Sequence, residues 1–159
     1  MTKKRATLPV NVLNSKVNKM AKLVMMKGLP CSGKTEWATK WANQKANRLR
    51  LSWSDILNAM GGRYSRERRP IAFDGMLRMM CVALRHGKDV VIDECNLNSA
   101  EYGIILTRAM QCKVRTEWHT MKTTADECKR RAREQGKAVI DMDIDRLALR
   151  YAAWLKHKH

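Results

Sequence analysis

Residues 28 to 35 read GLPCSGKT: a glycine, four residues, then Gly-Lys-Thr. The short apolar run LVMMK (23–27) leads straight into it. A strand that ends in such a loop and continues as a helix is a phosphate-binding arrangement. It restricts the chain to α/β architectures with the loop at the carboxyl end of a buried strand. Gly28 and Gly33 permit backbone angles that a side chain would block, so successive N–H groups turn inward toward phosphate oxygens. The helix beginning near Lys34 adds its positive N-terminal end. Lys34 then reaches the β- and γ-phosphates, and the Thr35 hydroxyl meets magnesium. Cys31 and Ser32 lie inside the loop and complete the nucleotide-binding set; Cys31 reads as a spacer, with a reactive thiol near a bound cation as the other reading.

The rest of the chain alternates. Apolar spacing predicts a helix from Thr35 to about Asn47, and RLRLSW (48–53) alternates like a strand. SDILNAM (54–60) opens on helix-capping residues and stops at Gly61-Gly62. GGRYSRERRP (61–70) reads as a surface loop, Ile71 to His86 as a helix closed by Gly87, and DVVID (89–93) as a buried strand. A helix over 98–111, a strand over 113–121, a basic helix over 123–135, a linker over 138–143 and an amphipathic helix over 144–155 follow. This order predicts a central parallel sheet of about four strands, at 23–27, 48–53, 89–93 and 113–121, with helices on both faces. Residues 1–21 form a basic N-terminal arm, and 22–159 a single domain with an arginine-rich lid near 123–136 and a C-terminal helix.

Charge narrows the partner. Against 15 Asp and Glu stand 32 Lys and Arg, a net charge of +17 on 159 residues. A field of that sign attracts polyanions. Nucleic acid is the leading partner and an anionic membrane the second, although no apolar run reaches spanning length. Five cysteines, an odd number without a CxxC, and no secretory leader after MTKKR point to free thiols in a reducing cytoplasm.

The loop by itself serves ATPases, GTPases and kinases alike. No NKxD-type base-reading segment is present, and so short a domain favours a small kinase. Three further segments sharpen this: DVVIDECNLN (89–98), RRAREQGKAV (130–139) and DIDRLALRYAAW (143–154). Together with GLPCSGKT, and in the same order, they resemble the 5′-kinase domain of phage-type polynucleotide kinases, within the P-loop kinase superfamily, over about residues 22 to 155. That resemblance implies transfer of the γ-phosphate of ATP or another nucleoside triphosphate to the 5′-hydroxyl of DNA or RNA, with magnesium. It also implies a host cytoplasm if the chain is phage-encoded.

The family's general base is an Asp just after the second strand, which maps to Asp55. Its acceptor-site arginine, three residues on, falls on Asn58, or on Leu57 if the match runs through Ser54; either way the arginine is missing. Arg63, Arg66, Arg68 and Arg69 follow closely and offer charge in its place. At the end of the third strand, counting back from Asn96-Leu97-Asn98 puts Glu94 at the family's carboxylate, while Asp93 is the direct strand-end acid that acts on magnesium through water. For the lid arginine on the donor phosphates, Arg133 comes first and Arg130 second, with Lys129, Arg130 and Arg131 otherwise a solvated basic face. Trp53, at the mouth of the site, is placed to stack on an acceptor base. Trp37, Trp41 and Trp154 read as core, and His86 and His119 as structural.

Two other readings remain: a small-molecule kinase on the same fold, and a nucleic-acid-binding protein that keeps ATP only as a ligand. No DxDxT phosphatase motif is present, so kinase activity alone is expected, with a partner ligase and a separate phosphatase for end sealing.

Overall fold

The computed structural model describes residues 20–61, 65–137 and 141–157. Arg63 and most of the basic arm lie outside the described residues. Four strands, β1 (Lys22–Lys27), β2 (Arg48–Leu51), β3 (Asp89–Ile92) and β4 (Arg115–Thr120), form one sheet in the order β2-β3-β1-β4. Every neighbouring pair is parallel, with Leu23 opposite Val90 and Thr116, and Leu51 opposite Ile92. Among the described residues, six helices connect and flank them: α1 (Lys34–Asn43), α2 (Trp53–Ala59), α3 (Arg68–Arg85), α4 (Ser99–Gln111), α5 (Ala125–Glu134) and α6 (Asp141–Lys156). The expected α/β sandwich with a four-stranded parallel sheet is the fold observed.

The sheet is buried on both faces, so its central strands are apolar throughout instead of alternating. Side chains still alternate in direction. Leu23, Met25, Val90 and Ile92 face Met76, Met80, Leu84 and Ile105 of α3 and α4. Val24, Met26 and Val91 face Ala38 and Trp41 of α1. A third cluster, Leu29, Leu97, Cys128, Ala132 and Ile144, seats α5 and α6 against the phosphate loop. Among the described residues, no helix is long and apolar enough to cross a membrane.

Several boundaries differ from the sequence expectation. β2 stops at Leu51 because the Ser52 hydroxyl caps α2, accepting the Asp55 N–H at 3.4 Å, so Trp53 opens a helix. α3 begins at Arg68, one turn early, since Pro70 falls in the first turn, where its missing N–H costs nothing. α6 begins at Asp141, with Asp141 and Asp143 in the turn that favours negative charge.

Candidate active site

All four strands end on one edge of the sheet, and the segments that leave them build the site. From β1 comes the phosphate loop. Gly28 has no room for a side chain: a Cβ there would meet the Met121 Cβ at 2.8 Å and the Ser32 Oγ at 2.9 Å. Gly33 sits at φ +92°, in the left-handed region, and hands the chain to α1. Lys34 is buried, its Nζ donating to the Leu29 carbonyl at 2.6 Å. The Ser32 Oγ is buried with no hydrogen-bond partner. A cavity of about 560 Å³ opens here, with Gly33, Lys34, Thr35, Arg131 and Lys137 on its walls.

Arg131 reaches that cavity; Arg133 and Arg130 do not line it. The Arg131 Nη1 lies 3.7 Å from where a Cβ on Gly33 would stand, and its Nε is anchored on Glu127 at 2.7 Å. Arg133 is instead bound to Asp141, with its Nη2 at 2.8 Å, and Arg130 to Glu127 and Glu134. The geometry follows from the apolar stripe of α5. Cys128 and Ala132 are buried against Leu29, which turns Arg131 toward the loop and Arg130 and Arg133 away. Arg130 and Arg131 together hold the Glu127 carboxyl down at about 2.

On the other side of the loop, Arg50 gathers two carboxylates. Its Nη1 lies 2.5 Å from Asp55, and its Nη2 2.6 Å from Asp93. The Asp55 side chain is 56% exposed and that of Asp93 only 2%. Arg50 belongs to β2, and the alternating RLRL pattern of that strand gives no sign of the pairing.

Glu94 occupies a different environment. Its Oε1 accepts the Ser52 hydroxyl at 2.8 Å and the Ser54 N–H at 3.4 Å. It lies in the wall of a second cavity of about 310 Å³, together with Trp53, Arg69, Phe73, Asn98 and Arg150. Arg69 lies over the Trp53 ring at 4.7 Å and is paired with Glu101 at 2.5 Å. Burial pushes the Glu94 carboxyl up to about 7, helped by the nearby charge of Asp93 and opposed by the Ser52 and Ser54 bonds. A raised folded-state value contributes stability that is full below about 4.5 and lost as pH rises through about 7. Glu94→Gln should therefore gain about 3 kcal/mol on the wild type at pH 8 compared with pH 4. Paired thermal melts across that range check this; parallel curves would refute it.

The turn that carries Glu94 is fastened to β1. Asn96, at φ +51°, donates through Nδ2 to the Met26 carbonyl at 2.6 Å. The buried Lys27 Nζ donates to the Asn96 carbonyl, inside a box of three rings: Tyr102 at 4.2 Å, Trp118 at 4.5 Å and Trp154 at 4.5 Å. Burial lowers the Lys27 ammonium to about 8. The Gly28 N–H donates to the Cys95 carbonyl at 3.4 Å, so the phosphate loop and the Glu94 turn share a seam. Trp41 is buried as expected, while Trp37 packs on His119 with centroids 3.7 Å apart.

A triphosphate with magnesium fits these residues. The buried, unpartnered Ser32 Oγ and Asp93 Oδ1 are polar atoms that need a partner, and the Thr35 hydroxyl is exposed at the cavity. Among the described residues, no group of three or more His, Cys, Asp or Glu is placed to hold a metal ion. A cation here would depend on Thr35, phosphate oxygens and waters, with Asp93 behind them, which suits magnesium.

Comparison with known proteins agrees with this architecture. The family model described as an AAA domain matches residues 23–153. No curated sequence is similar enough to count as a relative. Among solved structures, a chain of the Pnkp1/Rnl/Hen1 RNA repair complex superposes with a TM-score of 0.76 at 16% identity, over 88% of this chain and 46% of that one. A second structure of the Pnkp1/Rnl/Hen1 complex superposes at 0.66 and 17%, over 74% and 41%. The Mycobacterium tuberculosis APS kinase CysC, in complex with AMPPNP and APS, superposes at 0.58 and 15%, over 71% and 69%. The chain thus spans less than half the length of the Pnkp1-complex chains it matches. At these identities the likeness establishes the P-loop kinase fold.

Proposed function

The chain belongs to the AAA domain family, and from that premise we propose that it is an ATP-dependent polynucleotide 5′-hydroxyl kinase acting on DNA or RNA. The observation that carries this reading is that the Gly28 N–H bond to the Cys95 carbonyl ties the phosphate loop to the wall of a second cavity. The phosphate-loop cavity suits a triphosphate donor, and the Trp53–Glu94 cavity suits an acceptor end. The net charge of +17 favours a polymeric acceptor, because phosphate contacts release counterions. The likeness to chains of an RNA repair complex supports the same choice, and supports a ligase as a working partner.

In this reading residues 22–159 are the kinase unit, and the segment near 123–136 is its lid. Lys34 and the N–H groups of the loop hold the donor phosphates, with Arg131 on their outer side. Magnesium, when bound, supplies charge neutralisation between the phosphates. Trp53 stacks on the terminal base, and Glu94 binds in the acceptor cavity. Asp55, oriented by Arg50, takes the proton of the attacking 5′-hydroxyl.

Transfer of labelled γ-phosphate to a 5′-hydroxyl DNA oligomer, an RNA oligomer and free nucleosides tests the assignment. Label should appear on an oligomer and fall on the order of 10²-fold in Asp55→Asn. Label on nucleosides alone would instead establish a small-molecule kinase, for which the size of the acceptor cavity leaves room. Oligomer binding without transfer would establish a binding protein.

A further inference from the structure

A cavity of about 430 Å³ opens between α3 and α4 and shares no residue with the two cavities of the candidate site. Arg78, Cys81 and Arg85 of α3 line one wall, and Arg108 and Gln111 of α4 the other. Its one carboxylate, Asp74, is taken by Arg78 at 2.6 Å. Arg85 and Arg108 have no carboxylate partner among the described residues. The chamber is therefore positive, and small anions are drawn into it.

It also holds a pair of thiols. Cys81 is half-buried in the wall, and half-buried Cys112, next after Gln111, closes α4 at its C-terminal end. The Cys81 S–H donates to the Cys112 sulfur, and both side chains pack on the edge of the same core cluster. Burial pushes the Cys81 thiol up and the bond to Cys112 adds to this, while the charges of Arg85 and Arg108 act the other way. Sulfurs that share a proton are a small side-chain movement away from the covalent S–S distance of about 2 Å.

We propose that Cys81 and Cys112 form a modifiable dithiol, and that the arginine-lined cavity beside them admits an anionic low-molecular-weight disulfide. The Cys81 thiol loses its proton to water, and its thiolate attacks one sulfur of the incoming RSSR. That forms Cys81–S–S–R and releases one RS⁻. Cys112 then loses its proton and displaces the second RS⁻, leaving a Cys81–Cys112 disulfide. The protein gives up two protons and two electrons, and RSSR is reduced to two thiolates. The new bond closes a loop of about 30 residues around β3 and staples the two helices that cover one face of the sheet. It lies at the far ends of α3 and α4 from Arg69 and Asn98, which line the Trp53–Glu94 cavity, so the inference does not depend on the kinase reading.

The reduced protein, treated in parallel with dianionic dithiobis(nitrobenzoate) and dicationic cystamine and then mapped by peptide mass, tests this. With either reagent the peptides carrying Cys81 and Cys112 should become joined, with loss of two hydrogens. Cys112→Ser should stop at the mixed disulfide on Cys81. Arg85→Gln combined with Arg108→Gln should slow the reaction with the dianion about 10-fold more than the reaction with cystamine. The oxidised wild type should melt about 10 °C above the reduced form, and a reductant should reverse the gain. A wild type that leaves Cys81 and Cys112 unjoined, or joins either to another cysteine, would overturn the dithiol. Equal slowing with both reagents would overturn the preference for an anion, and identical melts would refute the staple.

Discussion

Arg131→Gln is expected to lower γ-phosphate transfer on the order of 10³-fold, while Arg130→Gln and Arg133→Gln stay within about threefold of wild type. As charge moves from donor to acceptor, it collects on the transferred group, where a positioned guanidinium is worth far more than one in solvent. Only Arg131 lines the loop cavity, with its Nη1 aimed at Gly33 while Glu127 steadies its Nε. Arg133 is spent on Asp141, and Arg130 on Glu127 and Glu134. Single-turnover transfer by the three variants, with a fluorescent triphosphate to monitor binding, tests this. A large loss in Arg133→Gln with Arg131→Gln nearly normal would put Arg133 on the donor phosphates instead.

Lys34→Met should be as severe, again on the order of 10³-fold, but with a different signature. Methionine keeps the stem volume in a buried site and removes only the ammonium. In the structure that ammonium bonds to the Leu29 carbonyl and lies within reach of the Cys95 thiol, contacts that phosphate oxygens would replace or share. Its loss should therefore weaken triphosphate affinity as well as rate, whereas Arg131→Gln should act chiefly on rate. Equilibrium binding beside kcat separates the two. Normal transfer by Lys34→Met would remove the loop from the chemistry altogether.

The phosphate loop was legible because it is a local motif whose neighbours in sequence are its neighbours in space. The four strands were legible for a related reason: buried parallel strands read as short apolar runs. The lid register was not. The resemblance put Arg133 first and Arg130 second, whereas the Cys128–Ala132 stripe, also present in the sequence, turns Arg131 toward the loop cavity. Asp93 and Glu94 stood as alternatives, since adjacent residues at a strand end point in opposite directions. The structure separates them, Asp93 onto Arg50 and Glu94 into the cavity beside Trp53. Arg50 itself was invisible, because its two partners come from α2 and from the end of β3, and nothing local marks the meeting. Arg69, read as one of several loop charges, is inside α3 and committed to Trp53 and Glu101.

The box around Lys27 has a consequence for how the domain is made. Its bond to Asn96 already spans 69 positions, and its last ring, Trp154, belongs to the final helix. Closing contacts so far apart is slow compared with forming helices. A chain emerging from the ribosome would thus carry its phosphate loop long before it could seat the lysine at that loop's root. A fragment released early would leave the ammonium short of a wall, and the seam between the two cavities slack. The root of the phosphate loop therefore closes only when the last helix docks.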